Sequence, residues 1–235
     1  MSLLALYDHE RRNGQEVGLR REEVPGVVRQ IGLAEPWSTV IFTDLADDEV
    51  DHAIDQQIAY FASLGHEFEW KVFSHDRPAD LVERLRARGF LIDEPEAIVV
   101  LDLQEASAGL FEPTPAVRRI TDPEQVPERI RAEMRLSPAT VSVYVAELDG
   151  AEVAHGWARF PPLSKFASLW GGETEPEHRG KGLYSQLVRA RTQEARQRGY
   201  RYVTVDARAT SRPILERRGF RVLTWATACT RPRPG

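Results

Sequence analysis

A glycine-rich turn with two basic residues occupies positions 178–183, which read His-Arg-Gly-Lys-Gly-Leu. A short apolar segment, 166–170, precedes the turn, and a segment with helical spacing, 184–198, follows it. A strand, a glycine turn and a helix in this order direct backbone N–H groups and the positive end of the helix dipole to one place. Glycine allows a ligand to approach the backbone closely. The pattern therefore predicts a binding site for a phosphorylated ligand.

The elements that would position this turn alternate between strands and helices. Apolar periodicity predicts strands at 117–120, 141–148, 153–160, 166–173, 202–206 and 222–229, and helices at 123–135, 182–198 and 213–218. Asp149-Gly150 predicts a hairpin turn. Gly199 and Gly219 stand where helix C-caps belong. Hairpins first and helical crossovers later indicate an α/β fold with a mixed sheet.

The N-terminal half repeats the last part of that order. Strands are predicted at 37–42, 68–73 and 97–103, and helices at 48–63 and 78–89. The segment Asp76-Arg77-Pro78 parallels Ser211-Arg212-Pro213, and Arg88-Gly89-Phe90 parallels Arg218-Gly219-Phe220. We interpret the match as a diverged internal duplication, the alternative being that any strand–helix–strand unit produces a similar order.

The two halves differ where a phosphate would bind. Residues 43–49 of the N-terminal copy contain no glycine and four acids, which would repel a phosphate. We therefore expect only the C-terminal copy to bind a cofactor. Residues 104–116, with one glycine and two prolines, are predicted as a linker between domains at 1–103 and 117–235.

Composition narrows the function classes. The net charge of −5 argues against general nucleic-acid binding. A single cysteine, Cys229, fits a reducing compartment, and we expect a cytoplasmic protein. No apolar run is long enough for a membrane span. The six histidines are scattered, so we expect no metal site. Arg189, Arg191, Arg196 and Arg198 are expected to form a solvated helix face.

Two motifs together resemble the GNAT superfamily of N-acetyltransferases. The family signature is Arg or Gln, two residues, Gly, one residue, and Gly or Ala. The segment Arg179-Gly180-Lys181-Gly182-Leu183-Tyr184 matches it except at Tyr184. The preceding residues 175–178 resemble the family's approach to the turn, and residues 214–220 resemble its penultimate helix, which ends in Gly-Phe. The resemblance covers roughly residues 117–230 and implies a GNAT-like acyl-CoA N-acyltransferase fold there, with a degenerate GNAT-like N-terminal half.

The resemblance implies acetyl-CoA (CoA) or another acyl-CoA as the donor, with its pyrophosphate on the N–H groups of residues 177–183. The side chain of Tyr184 is expected either to crowd the cofactor or to point away along the helix. The residues that we expect to bind the cofactor are Thr174, Glu175, His178, Arg179, Gly180, Lys181, Gly182, Leu183, Tyr184 and Ser211.

The reaction that the resemblance implies is direct attack of an amine on the thioester. Gly171-Gly172 predicts a strand bulge, and the N–H freed there would polarise the thioester carbonyl. An amine must lose a proton first, so a general base is expected: Glu173, then Glu175, with His155 as a further option. Each acid has the alternative of being an ordinary surface acid, and a strand histidine is often structural.

The leaving thiolate needs a proton, which the family often takes from a tyrosine. Leu215 occupies that position here. Ser211 is the candidate to hydrogen-bond the thiol, or else caps the helix that follows it. Trp157, Arg159 and Trp170 are candidates for the acceptor side, although strand aromatics are more often core residues.

The sequence favours an N-acetyltransferase for a small-molecule or peptide amine, with no nucleic-acid or membrane partner and with a homodimer possible. Two other functions stay open. One is a non-catalytic acyl-CoA sensor, because the usual tyrosine is absent. The other is a different nucleotide-binding protein that uses the same turn.

Overall fold

The computed structural model describes residues 1–14, 16, 18–33, 36–126 and 128–233. Contacts between residues divide the chain into two compact units. Unit 1 comprises Met1–Ala97 together with Leu223–Gly235, and unit 2 comprises Ile98–Val222. The division into domains at 1–103 and 117–235 stays a prediction. None of the helices in the described ranges combines the length and apolar character of a membrane span.

Unit 1 contains a sheet flanked by helices. Its elements are α1 (Leu3–Asn13), β1 (Leu19–Val24), β2 (Val27–Gly32), β3 (Trp37–Thr43), α2 (Val50–Leu64), β4 (Glu67–Phe73), α3 (Leu81–Ala87) and β5 (Leu91–Ile92). Strand β12 (Arg221–Arg231) joins this sheet through its second half, which pairs with β4 and β5. The strand order is β1-β2-β3-β4-β12, and only β3 and β4 are parallel among these pairs.

Aromatic packing closes the core of unit 1. Phe61 of α2 stacks on Phe68 of β4 with ring centroids 4.3 Å apart. Trp70 is fully buried, and its Nε1 donates to Thr43 Oγ1 at 2.8 Å. Gly65 ends α2 in the left-handed region with φ 69°, where a Cβ would be strained.

Unit 2 contains the strand–turn–helix segment of the sequence analysis. Its elements are β6 (Glu96–Asp102, from residue 98 onward), β7 (Val117–Ile120), α4 (Glu128–Leu136), β8 (Val141–Leu148), β9 (Ala151–Arg159), β10 (Phe166–Thr174), α5 (Leu183–Gln197), β11 (Tyr202–Ala207) and α6 (Arg212–Glu216). The strand order is β6-β11-β10-β9-β8-β7. The pair β10 and β11 is parallel, whereas β10–β9, β9–β8 and β8–β7 are antiparallel. The mixed α/β fold of the sequence analysis is confirmed.

The segment 104–116 packs on helix α5. It contains a 3₁₀ turn, Ala108–Phe111, in which Leu110 is buried. Gln193 Nε2 donates to the carbonyl oxygens of Leu110 and Glu112, and Arg189 pairs with the Glu112 carboxylate at 3.1 Å. The segment predicted as a linker therefore packs along helix α5, which carries the candidate site.

Candidate functional site

The strands β10 and β11 separate at the middle of the sheet of unit 2. Their parallel pairing ends at Leu169 and Val205, although both strands continue beyond these residues. The pairing of β10 with β9 shifts register between Trp170 and Glu173. This is the bulge that the sequence predicts. It opens a gap in the sheet beside exposed Gly172.

Gly171 makes the bulge possible. Its φ is 57°, a conformation that side chains disfavour. A Cβ at this position would lie 1.9 Å from the Trp157 ring, which packs beneath it. The second glycine has a different neighbour, because a Cβ at Gly172 would lie 2.7 Å from Tyr184 Cε2. Gly171 is thus favoured by backbone geometry and by close approach, whereas at Gly172 only the close approach of Tyr184 leaves little room for a side chain.

Arg191 of α5 supports the bulge from below. The expectation of a solvated face is wrong for this residue, since only 1% of its surface is exposed. Its Nη1 donates to the carbonyls of Trp170 and Trp157 at 3.0 and 3.2 Å, and its Nε donates to Leu187 at 3.0 Å. Burial lowers the pKa of Arg191 to about 10. The guanidinium has backbone carbonyls as its hydrogen-bond acceptors, which ties α5 to the separated strand.

Tyr184 turns toward the gap rather than along the helix surface. Its ring lies against Gly172, and its hydroxyl lies near the side chain of Ser211 at the start of α6, whose Oγ donates to the Arg208 carbonyl at 3.3 Å. Burial raises the pKa of the Tyr184 hydroxyl, while Arg191 and Ser211 oppose that rise. Two of the residues expected at the cofactor site, Tyr184 and Ser211, therefore meet in the structure.

The backbone of the glycine turn offers a run of unused donors. In the described part of the chain, no acceptor is found for the N–H groups of residues 180–185. Gly180 and Gly182 both have φ 79°, and nothing lies within 4 Å of a Cβ placed on either. Arg179 and Lys181 are exposed beside them. Six donors at a helix N-terminus, with open space before them and two cations nearby, fit a pyrophosphate.

Acidic side chains lie at the entry to the same turn. Glu175 Oε2 is 3.3 Å from His178 Nδ1, and ligand atoms of Glu175, Glu177 and His178 lie within 4.8 Å of one another. Both glutamates are exposed, and such acidic groups are common without a metal ion. Thr174 contributes its carbonyl, which accepts from Arg179 Nε at 3.2 Å. We assign no metal to this cluster.

The two candidate bases of the sheet are neighbours. Glu173 of β10 is the cross-strand partner of His155 on β9, and His155 Nε2 lies 3.9 Å from Glu173 Oε2. The Glu173 side chain is 66% exposed, whereas that of His155 is 31% exposed. Glu173 lies at the C-terminal side of the bulge, next to Gly172. At 3.9 Å the two side chains are close, but they do not form a direct hydrogen bond.

The aromatic candidates for the acceptor side belong mainly to the core. Trp157 is buried and is the cross-strand partner of Trp170. Arg159 binds the Glu133 carboxylate of α4 through Nε and Nη2, at 2.7 to 3.0 Å. Leu215, at the position of the family tyrosine, is fully buried in α6. Its side chain has no proton to donate.

Most of unit 2 matches a known protein family. Residues 110–220 match the model of the acetyltransferase (GNAT) family. They form a GNAT acetyltransferase domain. The domain includes the split strands, the glycine turn and the helix α5 that carries Tyr184 and Arg191. A comparison with curated protein sequences gave no match.

Solved structures resemble the chain over most of its length. A GCN5-related N-acetyltransferase from Kribbella flavida superposes with a TM-score of 0.73 at 16% identity, covering 100% of this chain and 97% of its own. Another from Sphaerobacter thermophilus has a TM-score of 0.60 at 11% identity, covering 89% of this chain and 78% of its own. A tandem GNAT protein from the clavulanic acid biosynthesis pathway has a TM-score of 0.53 at 12% identity, covering 99% and 95%. At these identities the likeness shows a common fold.

Arg191 is the functional residue that the sequence analysis missed. A signal for it exists in the spacing of α5, where Leu183, Leu187 and Arg191 follow each other at intervals of four. Gly156 provides the space, since a Cβ there would lie 2.7 Å from Arg191 Nη1. An arginine in the buried stripe of a helix, facing a glycine on a neighbouring strand, indicates a structural cation.

Proposed function

We propose that the protein is an acyl-CoA-dependent N-acyltransferase that transfers an acetyl group from acetyl-CoA to an amine. The observation that carries this proposal is the run of N–H groups at residues 180–185, for which the described residues provide no acceptor, next to the gap between β10 and β11. Phosphate oxygens would accept from these N–H groups, and the gap would admit the extended arm of the cofactor. The acceptor would be a small-molecule or peptide amine.

Bound acetyl-CoA would supply a thioester whose carbonyl carbon is open to attack by an amine. The residues of the GNAT domain then act on protons. Glu173 would take a proton from the amine, directly or through His155, whose Nε2 lies 3.9 Å from Glu173 Oε2. Deprotonating an alkylammonium ion of pKa about 10.4 at pH 7 costs about 4–5 kcal/mol, so a base near the gap has a clear role.

The leaving thiolate would be protonated by Tyr184, with Ser211 beside it. Leu215 cannot give a proton, but the Tyr184 ring lies beside Gly172 at the gap, and its hydroxyl lies near Ser211. Burial keeps Tyr184 protonated, as a proton donor must be. Ser211 would orient that hydroxyl. We propose that the acid of this site is supplied from α5 rather than from α6.

A non-catalytic acyl-CoA sensor is the second candidate function. The fully buried Leu215 and the close packing of Tyr184 on Gly172 favour it. A scan of amines with detection of the released thiol separates the two functions. Binding of acetyl-CoA without turnover of any amine favours the sensor.

The proposal includes a compartment and an assembly. The single, buried Cys229 suits a reducing compartment, so we place the activity in the cytoplasm. We expect neither nucleic acid nor membrane as a partner, and a homodimer as a possible assembly.

The decisive experiment titrates acetyl-CoA by calorimetry against the wild type and two glutamate variants. Gly182→Glu places a carboxylate at the proposed pyrophosphate site. Gly199→Glu is the matched control, because Gly199 also has a positive φ of 82°, with nothing within 4 Å of a Cβ, but stands at the other end of α5. Both variants carry the same strain and charge. We expect Gly182→Glu to weaken binding at least about tenfold, about 1.4 kcal/mol, and Gly199→Glu to leave it unchanged.

Three results would contradict the cofactor site. One is no binding of acetyl-CoA to the wild type. Another is equal affinity for all three proteins, and the last is equal weakening by both substitutions. Tighter binding of ATP than of CoA would support a different nucleotide-binding function.

A further inference from the structure

Unit 1 contains a cavity that the acyl-transfer proposal does not use. Its volume is about 430 Å³, within the range of about 300–1,000 Å³ typical of small-molecule sites. The walls come from the end of β4, from α3 and from β12. They are mostly apolar, with Val72, Val82, Pro95 and Trp225 among the lining residues.

A buried carboxylate lines this apolar cavity. Asp76 is only 7% exposed, and its Oδ2 accepts from the N–H of Phe73 at 2.9 Å. In the described part of the chain we find no other hydrogen-bond donor for this carboxylate. Burial raises its pKa to about 6, against opposing effects of the Phe73 bond, Arg11 and His75. A carboxylate of this kind is costly to bury without a partner.

The charges around Asp76 are engaged with each other. Arg11 Nη2 lies 3.8 Å from Asp8 Oδ1, and the Arg11 guanidinium stacks over the Phe73 ring at 3.6 Å. His75 contacts Asp8 at 3.0 Å through Nε2 and Thr224 at 2.9 Å through Nδ1. Arg11 and His75 lower the pKa of Asp76 through space and Asp8 raises it, but in the described part of the chain none of the three donates a hydrogen bond to its carboxylate.

We propose that this cavity binds an organic cation, a primary amine on an apolar body, with its ammonium group on the Asp76 carboxylate. The ammonium would supply further hydrogen-bond donors and a positive charge in direct contact with the carboxylate. Val72 and Val82 would pack against the apolar body, and Trp225 lines the same cavity. The site lies wholly within unit 1 and is independent of the proposed acyl transfer in unit 2.

The probe is 2-phenylethylamine, compared with 2-phenylethanol, which has nearly the same shape without the charge. Both are titrated calorimetrically into the full chain in the absence of any acyl-CoA, so no amine is consumed. We expect the amine to bind at least about tenfold more tightly than the alcohol, as charge-assisted hydrogen bonding requires. Equal binding of the two probes, or no binding of the amine, would overturn the proposal.

Three variants locate the binding. Asp76→Asn keeps an oxygen for the Phe73 N–H but removes the charge, and it should weaken amine binding at least about tenfold. Asp93→Asn removes the same charge from an exposed neighbouring position and should leave binding unchanged. Ala79→Phe places a ring in the cavity while Asp76 stays, and it should abolish binding.

The variants also distinguish amine binding in this cavity from amine binding at the proposed acyl-transfer site of unit 2. Amine binding that survives both Asp76→Asn and Ala79→Phe would refute the cavity, wherever the amine then binds. Should Asp76→Asn fail to fold, Ala79→Phe decides, because Ala79 is an exposed lining residue. The acetyl-CoA titration tests the proposed function separately, since neither variant changes the glycine turn.

Discussion

Tyr184 is the residue at which this GNAT domain departs from the family motif, and it lies beside the gap in the sheet. A small residue there would leave the space beside Gly172 open. Tyr184 instead fills that space with its ring, and its hydroxyl lies near Ser211. Leu215 has no proton to donate, so the proposed acyl transfer assigns the proton donor to Tyr184.

The substitution Tyr184→Phe tests this exchange. We expect kcat to fall about ten- to a hundredfold, at the low end of what a general acid contributes, because solvent also protonates a thiolate. The KM for acetyl-CoA should change little, since the ring and the backbone donors remain. The measurement is thiol release with the best acceptor from the amine scan, over a range of pH.

The serine provides the control for that prediction. Ser211→Ala should lower kcat by a similar factor, and the double variant should lose no more than either single variant, as expected for residues that act together. An unchanged kcat in Tyr184→Phe, or an effect confined to KM, would show that the hydroxyl has no part in the chemistry.

Helix α5 combines the tasks of the site in one element. Its N-terminus presents the free N–H groups, Arg191 in its middle holds the bulge of β10, and its Gln193 holds the segment 104–116. The helix therefore fixes the distance between the donor run and the gap. Preorganised donors of this kind need no rearrangement when a ligand binds.

Arg191→Met tests this support. The variant should lower the free energy of unfolding by about 2–4 kcal/mol, because the buried carbonyls of Trp157 and Trp170 lose their donor while relief of the buried charge offsets part of the loss. Urea unfolding measures the change. Arg189→Met, on the same helix, removes a more exposed pair with Glu112 and should cost less than about 1 kcal/mol. Equal stability of the two variants would contradict the structural role.

The elements of unit 2 could be predicted because their apolar spacing and turn chemistry agree. The predicted hairpin turn at Asp149-Gly150 has both residues at positive φ, 53° and 82°, and the strands on either side lie where alternation places them. The helix predicted at 182–198 is α5, Leu183–Gln197. Local rules suffice wherever the partner of a residue is close in sequence.

Other elements escaped prediction because distant partners decide them. Strand β2 is buried along its whole length although it contains Arg29 and Gln30, and the Arg29 guanidinium is satisfied by Glu22 of β1 and Gln57 of α2. Helix α1 buries none of its residues completely, so its sequence lacks the apolar stripe that would predict a helix. The spacing of α5 places Arg191 on the buried side of the helix, but its acceptors, the carbonyls of Trp157 and Trp170, lie on distant strands and could not be predicted.

On the scale of the whole molecule, stability and binding place opposite demands on Asp76. Its pKa of about 6 in the folded chain exceeds the ordinary value of 3.8, and burial is the main cause. The folded state therefore holds a proton that the unfolded state has lost between about pH 4 and pH 6. Stability falls as pH rises through that window, and above pH 6 the full cost of the buried charge remains.

The substitution Asp76→Asn removes this cost, so its effect on unfolding should depend on pH. At pH 7.5 the variant should be more stable than the wild type, and its advantage should shrink by about 1–2 kcal/mol at pH 5, since one pKa unit is worth about 1.4 kcal/mol. Urea unfolding of both proteins at the two pH values gives the difference, in which contributions common to both, such as those of Asp8, Arg11 and His75, cancel.

An advantage that is the same at both pH values would mean that the carboxylate is not strained by burial. Saturating 2-phenylethylamine should act in the opposite direction, stabilising the wild type at pH 7.5 and leaving Asp76→Asn nearly unaffected, because a ligand stabilises only the state that binds it. If Asp76 lowers the free energy of unfolding when the cavity is empty, and a bound cation raises it again, the carboxylate serves binding rather than stability. The two titrations, in pH and in amine, therefore test one property of Asp76 from both sides.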